Sequence, residues 1–308
     1  RDIDRDTVDF ADNYDATCKE PVLLPVTFPN ILTNNTLGIA VGMASSICSF
    51  NLAEVCNTTI ALLKDENADI KDTLIAPDFA GGGIILYDES DIDGVYNTGR
   101  GSIKVRSKWN YVKEDNVIEI TEIPPTTTVE AIIDKVADLV KQGKIKEIND
   151  VRDETDLNGL KLTFDLKRGQ DPEKFMRKLF RSTPLEDNFS ANFNILIGGS
   201  PRVMGIREIL TEWTAYRMGC VKRRLYFDLK GKKDRLHLVK GLEAILLDID
   251  KAVNIVRNTE EEKDVVPNLM IGFGIDEIQA EYVAEIRLRQ LNRNYIIKRI
   301  DEKEQLEK

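Results

Sequence analysis

The residue types that do chemistry near neutral pH are thinly spread along this sequence. His237 is the only histidine among 308 residues. Zinc sites and histidine-based acid–base schemes therefore have little to build on, and His237, inside a basic helical run, reads as a plain helix residue. The four cysteines, Cys18, Cys48, Cys56 and Cys220, show neither CxxC spacing nor a disulfide framework, which fits a reducing cytoplasm. Gly81-Gly82-Gly83 lacks the Lys-Ser/Thr of a phosphate-cradling loop and predicts no ATP site. What remains is a stretch that acts by shape. TLGIAVGMASS, Thr36 to Ser46, sets β-branched Ile39 between Gly38 and Gly42 just after Asn34-Asn35-Thr36. A core strand has no need of such bare flanks, whereas a loop tip that approaches another molecule closely does. The residues alone leave a second reading open, a buried Ile39 in a tight strand-turn.

Charge supplies the next candidates. Arg100, glycine-flanked at a strand entry with Lys104 and Arg106 beyond it, reads from the residues alone as a turn residue. The net charge of −10 argues against a simple nucleic-acid binder, yet its distribution matters more than its sum. Residues 1–100 hold most of the excess acid. From Arg202 to Lys240 the sign reverses, with Arg217, Lys222, Arg223, Arg224, Lys230, Lys232, Lys233 and Arg235 among the cations. A solvated helix and a phosphate-facing surface both fit that run. No segment reaches membrane-span length, and no charged-then-apolar leader opens the chain. The start Arg1-Asp2-Ile3-Asp4-Arg5-Asp6 reads as the interior of a longer protein.

The elements that must position these residues follow from periodicity. Residues 1–30 are acidic and punctuated by Pro21, Pro25 and Pro29, a connector. Asn51 caps a helix to about Lys64. Strands are predicted at Ile84–Tyr87, Ser102–Arg106, Val117–Ile120, Ile145–Val151, Leu160–Leu166 and Phe189–Ile197, with an Asn158-Gly159 turn between two of them. Helices are predicted at Thr128–Gln142, with Val129, Ile132, Ile133, Val136, Leu139 and Val140 on one face, and at Asp171–Phe180 with Pro172 in its first turn. This makes an α/β domain of mixed sheet order. From Gly205 to about Asn258 helical spacing runs without proline. As one helix it would extend roughly 80 Å, bent near Gly219 or Gly231. Thr259–Lys263 reads as an acidic loop, Ile275–Leu291 as a second helix, and a third begins near Asn294.

At this point the chain resembles the A-type polypeptide of bacterial type IIA DNA topoisomerases, found in DNA gyrase and in topoisomerase IV. The strings that carry the resemblance are Asp12-Asn13-Tyr14-Asp15, Phe28-Pro29-Asn30-Ile31-Leu32, Gly38 to Ser45 (GIAVGMAS), Asn51-Leu52-Ala53-Glu54-Val55 and Pro77-Asp78-Phe79 with Gly82-Gly83-Ile84-Ile85. They continue through Thr98-Gly99-Arg100-Gly101, Thr121-Glu122-Ile123-Pro124, Arg152 to Asp156 and Glu277-Ile278-Gln279-Ala280. Where the family often has Ile-Pro-Pro-His-Asn-Leu, this chain has Ile47-Cys48-Ser49-Phe50-Asn51-Leu52. Where it has Glu-Ile-Pro-Tyr-Gln, this chain has Glu122-Ile123-Pro124-Pro125-Thr126. Gyrase and topoisomerase IV are not separated by these departures.

The resemblance implies an α+β protein. Residues 1–30 would leave a winged-helix cleavage domain, and 31–200 would form a mixed α/β tower domain. Residues 201–308 would form a long helical coiled-coil arm with a small helical dimerisation, or exit-gate, domain. Ile39 would wedge between base pairs of the gate DNA and bend it, with Gly38 and Gly42 admitting the backbone to the groove. Arg100, Lys104 and Arg106 would contact phosphates along the bent arm. Ile278, Val283, Ile286, Leu288 and Leu291 would form the dimer interface. The implied whole is an ATP-dependent type II topoisomerase that changes DNA topology by double-strand passage. Its partners would be double-stranded DNA, a second copy in a homodimer, and a B subunit in an A2B2 complex, with no membrane. No cofactor is expected on this chain; Mg2+ and ATP would sit on the partner subunit. The family's nucleophile is a tyrosine after an arginine, and Tyr14, Tyr87, Tyr96, Tyr111, Tyr216, Tyr226, Tyr282 and Tyr295 each follow another residue type. No catalytic residue and no metal ligand is therefore expected here, and the chain alone should not cleave DNA. The rival reading is a non-enzymatic architectural or scaffold protein with an α/β head on a dimeric helical arm.

Overall fold

The computed structural model describes residues 2–287 and 293–308. The chain divides into two compact units, Val26–Tyr216 and Arg1–Pro25 together with Arg217–Lys308. Residues near the start form a small antiparallel hairpin, β1 (Phe10–Asp12) and β2 (Lys19–Pro21).

The Val26–Tyr216 unit opens with the strands β3 (Thr36–Ala40) and β4 (Met43–Ile47). Helix α1 (Leu52–Lys64) follows, and the Asn51 side chain accepts from the backbone N–H of Ala53 and Glu54, as its sequence signal requires. Then come β5 (Ile84–Leu86), α2 (Glu89–Thr98), β6 (Arg100–Arg106), β7 (Lys108–Val112) and β8 (Val117–Glu122). The amphipathic helix α3 (Val129–Lys141) buries Ile132, Val136 and Leu139, while Val140, expected on the same face, is 44% exposed. The pair β9 (Ile148–Asp153) and β10 (Leu162–Leu166) and the helix α4 (Pro172–Ser182) complete this half. Asp171 caps α4 and Pro172 occupies its first turn, where a missing N–H costs nothing.

The strand expected over Phe189–Ile197 is two strands, β11 (Glu186–Asn192) and β12 (Asn194–Ile197). They part at Phe193, whose ring is fully buried. The chain there leaves one sheet and pairs with β13 (Ser200–Val203). The sheets run β3-β4-β11-β6-β5 and β7-β8-β10-β9. Every strand pairing among the described residues is antiparallel, so the sheets are not of mixed order. Each sheet has its own core. Leu32, Ile47, Val55, Ile103, Val105 and Phe193 belong to the first. Ile118, Ile120, Ile132, Leu162, Phe164 and Phe175 belong to the second.

Helix α5 (Ile206–Leu246) runs 41 residues without interruption through Gly219 and Gly231, about 61 Å at 1.5 Å per residue. It ends ahead of Asp248, whose side chain caps α6 (Ile249–Asn258). The Arg1–Pro25 segment neutralises part of its basic run. Arg223 is bound to Asp6 at 2.8 Å and Asp9 at 2.7 Å, and Arg224 to Asp2 at 3.1 Å. Helix α7 (Val265–Phe273), with Pro267 tolerated in its first turn, has no counterpart in the sequence expectation. Nor do α2 and β7. The expected helix over 275–291 is instead α8 (Glu277–Ala284), fixed at its start by a capping box between Asp276 and Gln279. It closes on a tightened turn in which the Ile286 N–H bonds the Val283 carbonyl. Helix α9 (Arg293–Glu307) is held to α5 by Arg235–Glu302 at 2.6 Å and Lys303–Glu243 at 2.8 Å.

Candidate nucleic-acid interface

Strands β3 and β4 form a hairpin in which Ile39 pairs with Ala44 and Ala40 with Met43. The turn is Val41-Gly42, and Gly42 has φ +80°, a value that glycine adopts without strain. The aliphatic side chains of β3 and its turn lie in solvent: Leu37 is 73%, Ile39 86% and Val41 104% exposed. The reading of Ile39 as a buried core residue therefore fails. A Cβ at Gly38 would have nothing among the described residues within 4 Å, so their packing makes no demand for glycine there. Three exposed aliphatic side chains in a row are costly to hydrate unless something covers them.

Register decides what shares this surface. Leu37 pairs with Ser46, Ser46 with Asn192, and Asn192 with Arg100. Directly opposed residues lie on one face of a sheet and alternate residues return to it. Leu37 and Ile39 thus share a face with Arg100, Ser102, Lys104 and Arg106. The opposite face of β6 carries Ile103 and Val105, both buried in the first core. Side chains stitch the hairpin base to the sheet. Asn192 Nδ2 donates to the Ala44 carbonyl at 2.7 Å, and Ser45 Oγ to the Asn194 carbonyl at 2.9 Å.

The three expected cations differ. Arg100 and Lys104 are exposed and enter no ion pair among the described residues. Arg106 is held by Glu186 at 2.6 Å and lies over the Phe180 ring at 4.6 Å. Its charge is largely answered within the protein. Asn188 and Ser190 of β11, which face solvent between β4 and β6, are polar members of the surface that sequence reasoning missed. Their signal was the alternation with buried Phe189 and Ala191.

Other motif residues prove to be structural. Gly99 of TGRG ends α2 in the left-handed region, and a Cβ there would collide with the Met204 carbonyl. The Gly81–Gly83 loop wraps a carboxylate of the chain itself: the Gly83 N–H donates to Glu122 Oε2 at 2.6 Å. That bond, aided by Lys108, holds the Glu122 carboxyl below the usual carboxylate range. Burial pushes the Cys48 thiol and the Tyr96 hydroxyl upward, so neither serves as a nucleophile at neutral pH. Among the described residues no group of three or more His, Cys, Asp or Glu is placed to hold a metal ion. No helix among them is long and apolar enough to cross a membrane.

In the helical unit Ile278 is 63% exposed on α8, Ile286 is half-buried, and Val283 packs against a third core with Ile245 and Leu269. Leu288 and Leu291 lie outside the described residues. The Glu277-Ile278-Gln279-Ala280 string seats α8 on α5. Gln279 is buried where Gly241 leaves room, and its Nε2 donates to the His237 carbonyl at 2.8 Å. His237 Nε2 lies 2.6 Å from Asp276 Oδ2, so His237 is a junction residue rather than a plain helix residue.

An apolar hairpin beside a cation-bearing polar sheet face is the kind of surface that nucleic-acid-binding proteins present to a duplex. The family model for the A-type polypeptide of DNA gyrase and topoisomerase IV matches residues 1–308. The chain belongs to that family. It is 37% identical over 304 residues to the gyrase A protein of Borreliella burgdorferi, covering 97% of this chain and 37% of that protein. To the gyrase A protein of Ureaplasma parvum it is 40% identical, covering 94% of this chain and 35% of the relative. To that of Staphylococcus aureus it is 37% identical, covering 94% and 34%. The chain thus spans about a third of the length of these relatives.

Proposed function

We propose that this chain is part of the DNA breakage-reunion subunit of an ATP-dependent type II topoisomerase, binding and bending the gate segment. Family membership supports the class, and the exposure of Ile39 on the hairpin is the observation that carries the role. An apolar side chain entering a base step unstacks it at a cost of about a few kcal/mol, offset by the surface that a bent duplex can reach. Gly38 and Gly42 let the hairpin backbone approach the groove. Arg100 and Lys104, free of ion pairs within the described residues, neutralise phosphates on the same sheet face, with Arg106 a weaker contributor.

In this reading residues 31–200 act as the tower and 201–308 as a coiled-coil arm with its exit gate. Two copies meet through α8 and its neighbourhood, with exposed Ile278 a contact. A B subunit brings ATP and Mg2+ to an A2B2 complex in the cytoplasm, and the nucleophilic Arg-Tyr pair comes from elsewhere in the full-length protein.

The test is Ile39→Ala in the full-length protein reconstituted with its partner. Duplex bending, read by energy transfer between end-labelled dyes, should fall together with double-strand cleavage, while the midpoint of thermal unfolding stays put. Unchanged bending would remove Ile39 from the interface and favour a scaffold role.

A further inference from the structure

The outward face of the first sheet does not end at Lys104. Beyond it, Arg106, Ser107, Trp109, Arg177, Phe180 and Arg181 surround a cavity of about 340 Å³. It lies where β6, β7 and α4 converge, within the Val26–Tyr216 unit. Two features of its lining stand out. The hydroxyl of Ser107 is fully buried and has no hydrogen-bond partner among the described residues, although buried polar atoms are ordinarily satisfied. Arg177 and Arg181 stand one turn apart on α4, exposed, and neither enters an ion pair among the described residues.

The charge balance favours an anion. Glu186 is engaged by Arg106 at 2.6 Å. Glu173, the other carboxylate of the lining, then stands against two guanidiniums, which leaves the cavity cationic. Guanidinium forks match the oxygens of a phosphate, and a serine hydroxyl can donate the third bond. Trp109 and Phe180 add apolar surface to its wall.

We infer that this cavity holds a phosphodiester oxyanion of the duplex that Ile39 enters. The inference rests on the functional reading above. Arg100 and Arg106 lie on one side of one strand, six residues apart. The run is about 20 Å at roughly 3.4 Å per residue, or about six base pairs of duplex rise at about 3.4 Å each. A duplex leaving the hairpin along this face therefore meets Arg100 and Lys104 first and the cavity afterwards. Here the backbone would be gripped rather than only steered.

The test uses the full-length protein in its complex and two sets of variants. Both arginines are exposed, so Arg177→Gln with Arg181→Gln should fold normally. Each phosphate neutralised contributes about 0.9 to the slope of log affinity against log salt. The double variant should lower that slope by about 0.9 to 1.8, while the bend angle that depends on Ile39 persists. Because bending and salt slope are read separately, loss of the wedge and loss of the cavity are distinguishable. Ser107→Ala should weaken DNA binding several-fold without lowering the unfolding midpoint, since its hydroxyl has no partner among the described residues. A drop in the midpoint at unchanged affinity would overturn the role of Ser107. An unchanged salt slope in the double variant would overturn the assignment to DNA. If inorganic phosphate then quenched Trp109 fluorescence in the parent but not in the double variant, the cavity would be a free-anion site, and the duplex assignment would fall with it.

Discussion

Gly38, in GIAVGMAS, and Gly99, in TGRG, look alike in sequence: each is a glycine set where a backbone comes close to something. The structure separates them. A side chain at Gly38 would enter open space, whereas one at Gly99 would enter the space of the Met204 carbonyl at a left-handed φ of +70°. The first glycine leaves room for a molecule outside the chain. The second is closed over by the chain itself, and it fixes the angle at which α2 turns into β6. A glycine motif thus signals close approach, and only the packing says whether the approaching partner is internal.

The comparison can be broken at either end. The largest effect is expected at the closed position. Gly99→Ala combines a left-handed backbone with a collision against main-chain atoms, and should destabilise the fold by about 3 kcal/mol or more. Urea unfolding would read it, and a loss under about 1 kcal/mol would mean that the corner yields. At the open position Gly38→Ala should leave stability within about 0.5 kcal/mol and show its effect only as weaker DNA binding by the full-length complex. A large stability loss there would place Gly38 among the structural glycines.

The smallest effect concerns the third glycine string, Gly81–Gly83, which closes on Glu122. The Gly83 N–H and then Lys108 lower the Glu122 pKa from its ordinary 4.5. A lowered folded-state value means that stabilisation is fully present above the ordinary value and is lost as pH falls through the folded one. Stability measured from pH 7 downward should therefore show a small excess for the parent over Glu122→Gln that is flat above about pH 5 and shrinks below about 4.5. A constant difference across that window would show that the carboxylate charge does not hold the loop.

Legibility in the sequence followed the range of the interactions. Helix α3 was readable because its buried Ile132, Val136 and Leu139 repeat at helical spacing beside a Thr128 cap. Helix α2 was not: its buried Ile92, Val95 and Tyr96 span little more than one turn, and they are recruited by a core built from distant residues. Helix α7 contains Pro267 and Gly272, which interrupt a helical pattern, and it forms where the neighbouring helices supply the apolar surface that Leu269 needs. The helix expected to reach 291 ended at Ala284, because apolar residues at helical spacing do not reveal where backbone geometry tightens.

The candidate interface divides in the same way. The sequence by itself marked the glycine-flanked apolar stretch around Ile39, the strand from Ser102 to Arg106, and the helix starts at Asn51 and Pro172, all of which depend on neighbours a few residues away. Only the tertiary structure decided that β11 lies between β4 and β6, which puts Ile39 and Arg100 on one face. It alone decided that Arg106 is answered by Glu186, 80 residues on, and Arg223 by Asp6 and Asp9, while Arg100, Lys104, Arg177 and Arg181 enter no ion pair among the described residues. The physical reason is that electrostatic attraction and the hydrophobic effect act across distance in space, and strand order converts distance along the chain into that distance.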